Sequence, residues 1–163
     1  MNEYRSPKEY YGWTQIELLV KIVANKILSS NKKYDALLGI TNGGIIPARL
    51  IARELNINHI LFIPVRNKKL FKEEMLPLFD NKKYLVTDDI YDTGNTYSFV
   101  SNEIGKFDCD FAFLVRRLAA NDDDDNDNDG DVGCGGKIYV GELLNHGKWI
   151  VFPWELKTDN VLG

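Results

Sequence analysis

Apolar positions along this chain switch between a helical and an extended rhythm. Residues 2–12 hold several aromatics and one proline and read as an irregular arm. Ile16, Leu19, Val20, Val23 and Ile27 then recur at helical spacing, which predicts an amphipathic helix ending near Ser29. Thr14 followed by Glu17 has the form of a capping box, with Thr14 as N-cap. Residues 34–40 are nearly all apolar and predict a strand buried on both faces. A helix over 45–55 follows, with Pro47 suited to its first turn. Residues 58–65 read as the next strand, with His59 at its surface end. Tyr84, Leu85 and Val86 open another, and Val100, Ile104 and Phe107 carry a helix ending near Phe107. Residues 110–115, 137–141 and 148–155 are further β-rich runs. Strands alternating with helices predict an α/β domain: a mostly parallel central sheet flanked by helices, with a small C-terminal hood. Ligands are expected at the C-terminal ends of its strands.

One stretch breaks the rhythm. From 119 to 136 the chain is Asn, Asp and Gly with almost nothing apolar, so it is expected to be a disordered insertion in a single domain spanning 1–163. Asp125, Asp127 and Asp129 imitate the first half of a calcium loop. The twelfth position, however, is Gly136 where a bidentate Glu is needed. The insertion also distorts the charge. The chain carries a net −4, but seven of its 24 acidic residues lie between Asp122 and Asp131. The remainder is mildly basic, without the basic-aromatic stripes that would argue for nucleic acid. No apolar run is long enough to span a bilayer and no signal-peptide pattern opens the chain, so a cytoplasmic protein is expected. Cys109 reads as a small core residue and Cys134 as part of a Gly-rich loop, with no disulfide expected.

The chemistry concentrates in two strand–loop–helix passages. In the second, the strand reaches the adjacent acids Asp88 and Asp89 and then the loop Asp92, Thr93, Gly94, Asn95, Thr96 before a helix. A helix start offers free N–H groups to an anion. Thr93 and Thr96 add hydroxyls, and Gly94 lets the backbone curl around a phosphate. The two acids can accept from sugar hydroxyls or hold Mg²⁺. An ordinary turn, with solvated acids and Thr93 or Asn95 capping the helix, is the plainer alternative. In the first passage, Thr41, Asn42, Gly43 and Gly44 join strand to helix. Between 66 and 83, Arg66, Lys68, Lys69 and Lys72 accompany scattered apolar residues. That pattern suits either a solvated hairpin or a mobile phosphate-closing loop.

The 85–96 stretch resembles the phosphoribosyl-pyrophosphate (PRPP) signature of the type I phosphoribosyltransferases: two acids, two spacers, then Asp-Thr-Gly-x-Thr. The 148–155 run resembles the C-terminal Trp-Ile…Pro-Trp segment of the xanthine- and hypoxanthine-guanine members. The likeness extends from Tyr11 to Glu155, apart from the insertion. It implies the type I phosphoribosyltransferase fold and transfer of a 5-phosphoribosyl group from PRPP to a 6-oxopurine, with Mg²⁺, in a homodimer or homotetramer. It assigns the 5′-phosphate and ribose to Asp88, Asp89, Asp92, Thr93, Gly94, Asn95 and Thr96, and the metal to Asp88 and Asp89. Pyrophosphate falls to Thr41, Asn42, Gly43, Gly44 and Lys69. The purine falls to Arg116, Trp149 and Ile150, with Arg117 one residue away as a rival for the first role. Asp92 is the implied general base. In the purine enzymes the position before the two glycines is usually Arg or Lys, whereas here it is Asn42. That departure keeps a second class in view: a PRPP- or nucleotide-binding regulator with weak or no catalysis.

Overall fold

The computed structural model describes residues 6–119 and 136–157. The Asp-rich stretch, its half calcium loop and Cys134 lie outside the described residues. The N-terminal arm is extended rather than irregular where it matters. Lys8–Tyr10 forms strand β1, paired in parallel with a strand near the other end of the chain. Helix α1 (Trp13–Ser29) buries the predicted stripe of Ile16, Leu19, Val20, Val23 and Ile27. Its start differs from the expected box. The carbonyl of Gly12 accepts from Ile16 N at 3.1 Å, so Gly12 is the N-cap and Thr14 lies inside the helix. Glu17 is then too far along to reach the cap, and it pairs with Arg53 at 2.9 Å.

Next come β2 (Ala36–Ile40), α2 (Ile45–Leu55), β3 (Ile60–Ile63) and a short antiparallel hairpin of β4 (Val65–Arg66) and β5 (Lys69–Leu70). Strand β6 (Lys83–Tyr91) leads to α3 (Asn95–Ile104), then β7 (Asp108–Arg117), β8 (Ile138–Leu144) and β9 (Trp149–Val151). Helix α3 stops short of Phe107, whose N–H folds back to the Ile104 carbonyl at 3.0 Å after Gly105. His59 is exposed, as expected. Among the described residues no helix is long and apolar enough to cross a membrane.

Five strands form a parallel sheet in the order β3-β2-β6-β7-β8. Alternate residues feed two cores, as a doubly covered parallel sheet requires. Leu37, Leu85 and Leu114 meet α1 and α2 on one face, while Leu38, Val86 and Phe113 meet α3 on the other. Cys109 belongs to the second core, where burial pushes its thiol up to about 12. The paired strands β1 and β9 stand apart from the sheet and form the hood from both ends of the chain.

This order contains one reversal. From β2 the chain steps outward to β3, then returns to the other side of β2 with β6. The connections on either side of the β2–β6 junction lie on opposite faces, so a crevice opens at the C-terminal ends of these two strands. Pairing makes the crevice deeper. β2 and β6 stay in register only to Gly39 and Thr87, while β6 continues beside β7 to Tyr91. Asp88 and Asp89 therefore lie on a strand overhang, not in the turn after it.

Candidate active site

The loop after β2 and the loop after β6 face each other across this crevice. The 88–97 stretch and Phe113 line a cavity of ≈ 160 Å³. The two loops touch through a close contact that only glycine permits. A Cβ on Gly43 would lie 2.6 Å from an Asp89 carboxylate oxygen. The bare Cα of Gly43 thus lets the 41–44 loop lie directly against the acid.

Both carboxyl groups are tethered by main chain. Asp88 Oδ1 accepts from Asp89 N at 2.9 Å, and Asp89 Oδ1 accepts from Ile90 N at 2.7 Å. Burial pushes Asp89 up to about 6, against the pull of the Ile90 N–H. Burial also pushes Asp88 well above the usual carboxyl range, and the Asp89 charge beside it adds to the rise. Two adjacent carboxyl groups with raised proton affinity, Asp89 buried and Asp88 partly so, suit a hard cation. Among the described residues no group of three or more acidic, His or Cys side chains gathers, so a bound ligand would have to complete the coordination.

A pH dependence follows. A raised carboxyl binds its proton more tightly in the folded chain than in the unfolded one. Stability gained from that proton is present below the unfolded value of about 4 and is lost as pH rises through the folded value. The ligand-free protein should therefore melt at higher temperature as pH falls from 7 to 5. Asp89→Asn should flatten that part of the profile. Superimposable melting profiles for the two proteins would show that Asp89 is not the group concerned.

The two loops differ in how many donors they leave free. Of the four N–H groups expected to face an anion over 41–44, two are committed. Thr41 N donates to Ile63 O at 3.0 Å and Gly44 N to Ile40 O at 2.7 Å. The Thr41 hydroxyl is also occupied, donating to Ile63 O at 3.3 Å and accepting from Val65 N at 3.2 Å. The N–H groups of Asn42 and Gly43 remain without partners among the described residues. The Thr41–Asn42 peptide is cis. In the 92–96 loop, Gly94 has φ +83 and is the N-cap of α3. A side chain there would be strained, and its Cβ would lie 2.6 Å from the Tyr91 hydroxyl. No side chain caps α3. Thr93 Oγ1 accepts from Asn95 N at 3.3 Å, and the N–H groups of Thr93, Gly94 and Thr96 have no partner among the described residues. A merely capped turn would have filled them.

Asp92 is half exposed, and its Oδ1 accepts from Arg117 Nε at 2.7 Å. Arg116 stands differently. Its guanidinium lies 4.9 Å from the centre of the Tyr91 ring, and its Nε is buried without a partner among the described residues. Of the tandem arginines, Arg117 commits three of its N–H groups within the protein, while Arg116 Nε has no partner among the described residues. In the hood, Trp149 is 55% exposed while Ile150 is buried. Phe152 and Trp154 stack behind them with centroids 4.9 Å apart. A large aromatic face held open on a paired strand suits a flat, apolar ligand. Lys69 has no contact with these groups among the described residues. It is exposed on β5, with its ammonium 5.4 Å from the Phe71 ring centre. Local spacing carries no separate signal for Arg117 beyond the doubled arginine, and Tyr91 stands at a spacer position of the motif.

A family model described as the phosphoribosyl transferase domain matches residues 6–159. A xanthine-guanine phosphoribosyltransferase of Desulfotalea psychrophila is 29% identical over 154 residues, covering 91% of this chain and 86% of that protein. A purine phosphoribosyltransferase from Pyrococcus horikoshii superposes with a TM-score of 0.67 at 26% identity, covering 92% of this chain and 95% of the other. A hypothetical protein from Neisseria gonorrhoeae, solved with bound ppGpp, superposes with a TM-score of 0.73 at 23% identity, covering 96% and 93%. The last likeness speaks to fold alone.

Proposed function

The chain belongs to the phosphoribosyl transferase domain family, and from that premise we infer that it is a purine phosphoribosyltransferase. It transfers the 5-phosphoribosyl group of PRPP to a 6-oxopurine (guanine, hypoxanthine or xanthine), giving the nucleoside monophosphate and pyrophosphate. The observation that carries this reading is the crevice itself. The paired acids on the β6 overhang, the open N–H groups of the 92–96 loop and those of Asn42 and Gly43 converge on one junction of the sheet.

In this reading the 5′-phosphate binds the N–H groups of Thr93, Gly94 and Thr96, with the Thr96 hydroxyl beside them and Asn95 opening the helix. Asn42 and Gly43 donate to the pyrophosphate. Asp88 and Asp89 accept from the ribose hydroxyls and hold Mg²⁺, which when bound offsets charge on the pyrophosphate. As the bond from C1′ to pyrophosphate lengthens, positive charge grows on the ribose ring and the nearby carboxylates stabilise it. The purine stacks on Trp149, with its edge on the Ile150 main chain and its 6-oxygen on Arg116. Its nitrogen bonds to C1′, and Asp92 takes the displaced proton. Lys69 reaches the pyrophosphate only if the β4–β5 hairpin closes. A cytoplasmic setting and a homodimer or homotetramer belong to the same proposal.

Asn42 favours a second reading. It is exposed and uncharged beside the open N–H groups, which suits a PRPP- or nucleotide-binding regulator with little turnover. One assay separates the two. Pyrophosphate release is followed from PRPP and Mg²⁺ with guanine, hypoxanthine, xanthine, adenine or uracil. Release with one or more 6-oxopurines only is the expected result. No release with any base, while calorimetry still detects PRPP binding, would select the regulator.

A further inference from the structure

Arg117 is the last residue of β7, and its side chain is only 18% exposed. Its guanidinium spends its donors on two separate segments. Nε donates to Asp92 Oδ1 at 2.7 Å. Nη1 donates to the carbonyl of His146, and Nη2 to that of Lys148 at 3.0 Å. Asp92 opens the phosphate loop after β6. His146 and Lys148 belong to the turn that delivers Trp149 to the hood, and the Lys148 carbonyl is in the peptide joining it to Trp149. The same turn is fixed from the hood side. His146 Nε2 lies 3.1 Å from Glu9 on β1, and Trp149 N donates to Pro7 O at 2.9 Å. One rigid fork therefore spans the distance between the implied base and the aromatic face.

We propose that Arg117 is a positioning residue: it fixes one oxygen of Asp92 so that the other takes the purine proton, and it sets the base-stacking strand at a fixed distance from that oxygen. This rests on the reading of Asp92 as the general base. A lysine could keep the charge but not the three-way fork, because an ammonium is a point donor and a guanidinium is a planar one. Arg116, stacked on Tyr91, does not duplicate the role.

A double-mutant cycle tests the proposal. Steady-state kinetics would be measured for Arg117→Ala, Arg117→Lys, Asp92→Asn and the combinations. In the parent background Arg117→Ala should lower kcat by about 10- to 100-fold, because a misplacement of about 1 Å is that costly. KM for PRPP should stay within about twofold. Arg117→Lys should fall between the two proteins. In the Asp92→Asn background the Arg117 substitutions should change kcat clearly less than in the parent, because only the strand-setting part of the role is left. An equal loss of kcat in both backgrounds would overturn the proposal while leaving Asp92 as the base. If Asp92→Asn alone keeps parent turnover, the base assignment falls and this proposal with it. Should Arg117→Ala fail to fold, the Arg117→Lys cycle decides by the same criterion.

Discussion

Replacing Asp92 with Asn should lower kcat by about two to four orders of magnitude, the range a positioned general base contributes, while PRPP still binds. The reason is local. Asp92 begins the loop proposed to hold the 5′-phosphate, but its own contact in the structure is with Arg117. An amide at this position keeps an oxygen for Arg117 and so preserves the tether. It cannot take a proton. The effect should therefore appear in kcat, with the calorimetric affinity for PRPP close to that of the parent. Turnover at the parent level would place the base elsewhere. Loss of PRPP binding would mean that Asp92 acts by holding the loop.

The second large effect concerns a residue with no side chain. Gly43→Ala would set a methyl 2.6 Å from one Asp89 carboxylate oxygen and 2.7 Å from its carbon. The methyl and the carboxylate cannot both keep their places. Asp89 is anchored by the Ile90 N–H and buried, so either the acid turns away or the 41–44 loop lifts. Each movement would displace part of the proposed PRPP site by about an ångström, and kcat/KM for PRPP should fall by about 10²-fold. Gly147→Ala is the matched control, because a Cβ there meets nothing within 4 Å. It should behave as the parent does. An unchanged KM for PRPP in Gly43→Ala would show that Asp89 has room to move and that the contact does not shape the site.

Much of this architecture was legible beforehand because it is encoded by near neighbours. Helical spacing over 16–27 and continuous apolar character over 36–40 depend on residues within a turn or two. The acids, the small-residue loop and the helix start after β6 are likewise contiguous, so their signature survives in one dimension. The misreadings also have local causes. Thr14 and Glu17 have cap spacing, but the Gly12 carbonyl two residues earlier takes the first helical hydrogen bond. Asp88 and Asp89 were expected at the strand's end, but nothing in their neighbourhood says that β6 continues past them beside β7 to Tyr91.

The sequence by itself determined the element types, the α/β class and the two loops that carry the chemistry, since each is a matter of short-range periodicity and backbone freedom. Tertiary structure alone decided how those loops are used. It committed the N–H groups of Thr41 and Gly44 to Ile63 and Ile40, leaving those of Asn42 and Gly43 without partners among the described residues. It assigned Arg117 to Asp92 and left Arg116 over Tyr91. It joined Lys8 to Trp149, building the hood from both ends of the chain. These partners meet only after the strands have taken their order in the sheet. Which donor is consumed and which is left for a ligand depends on that order, and no local spacing records it.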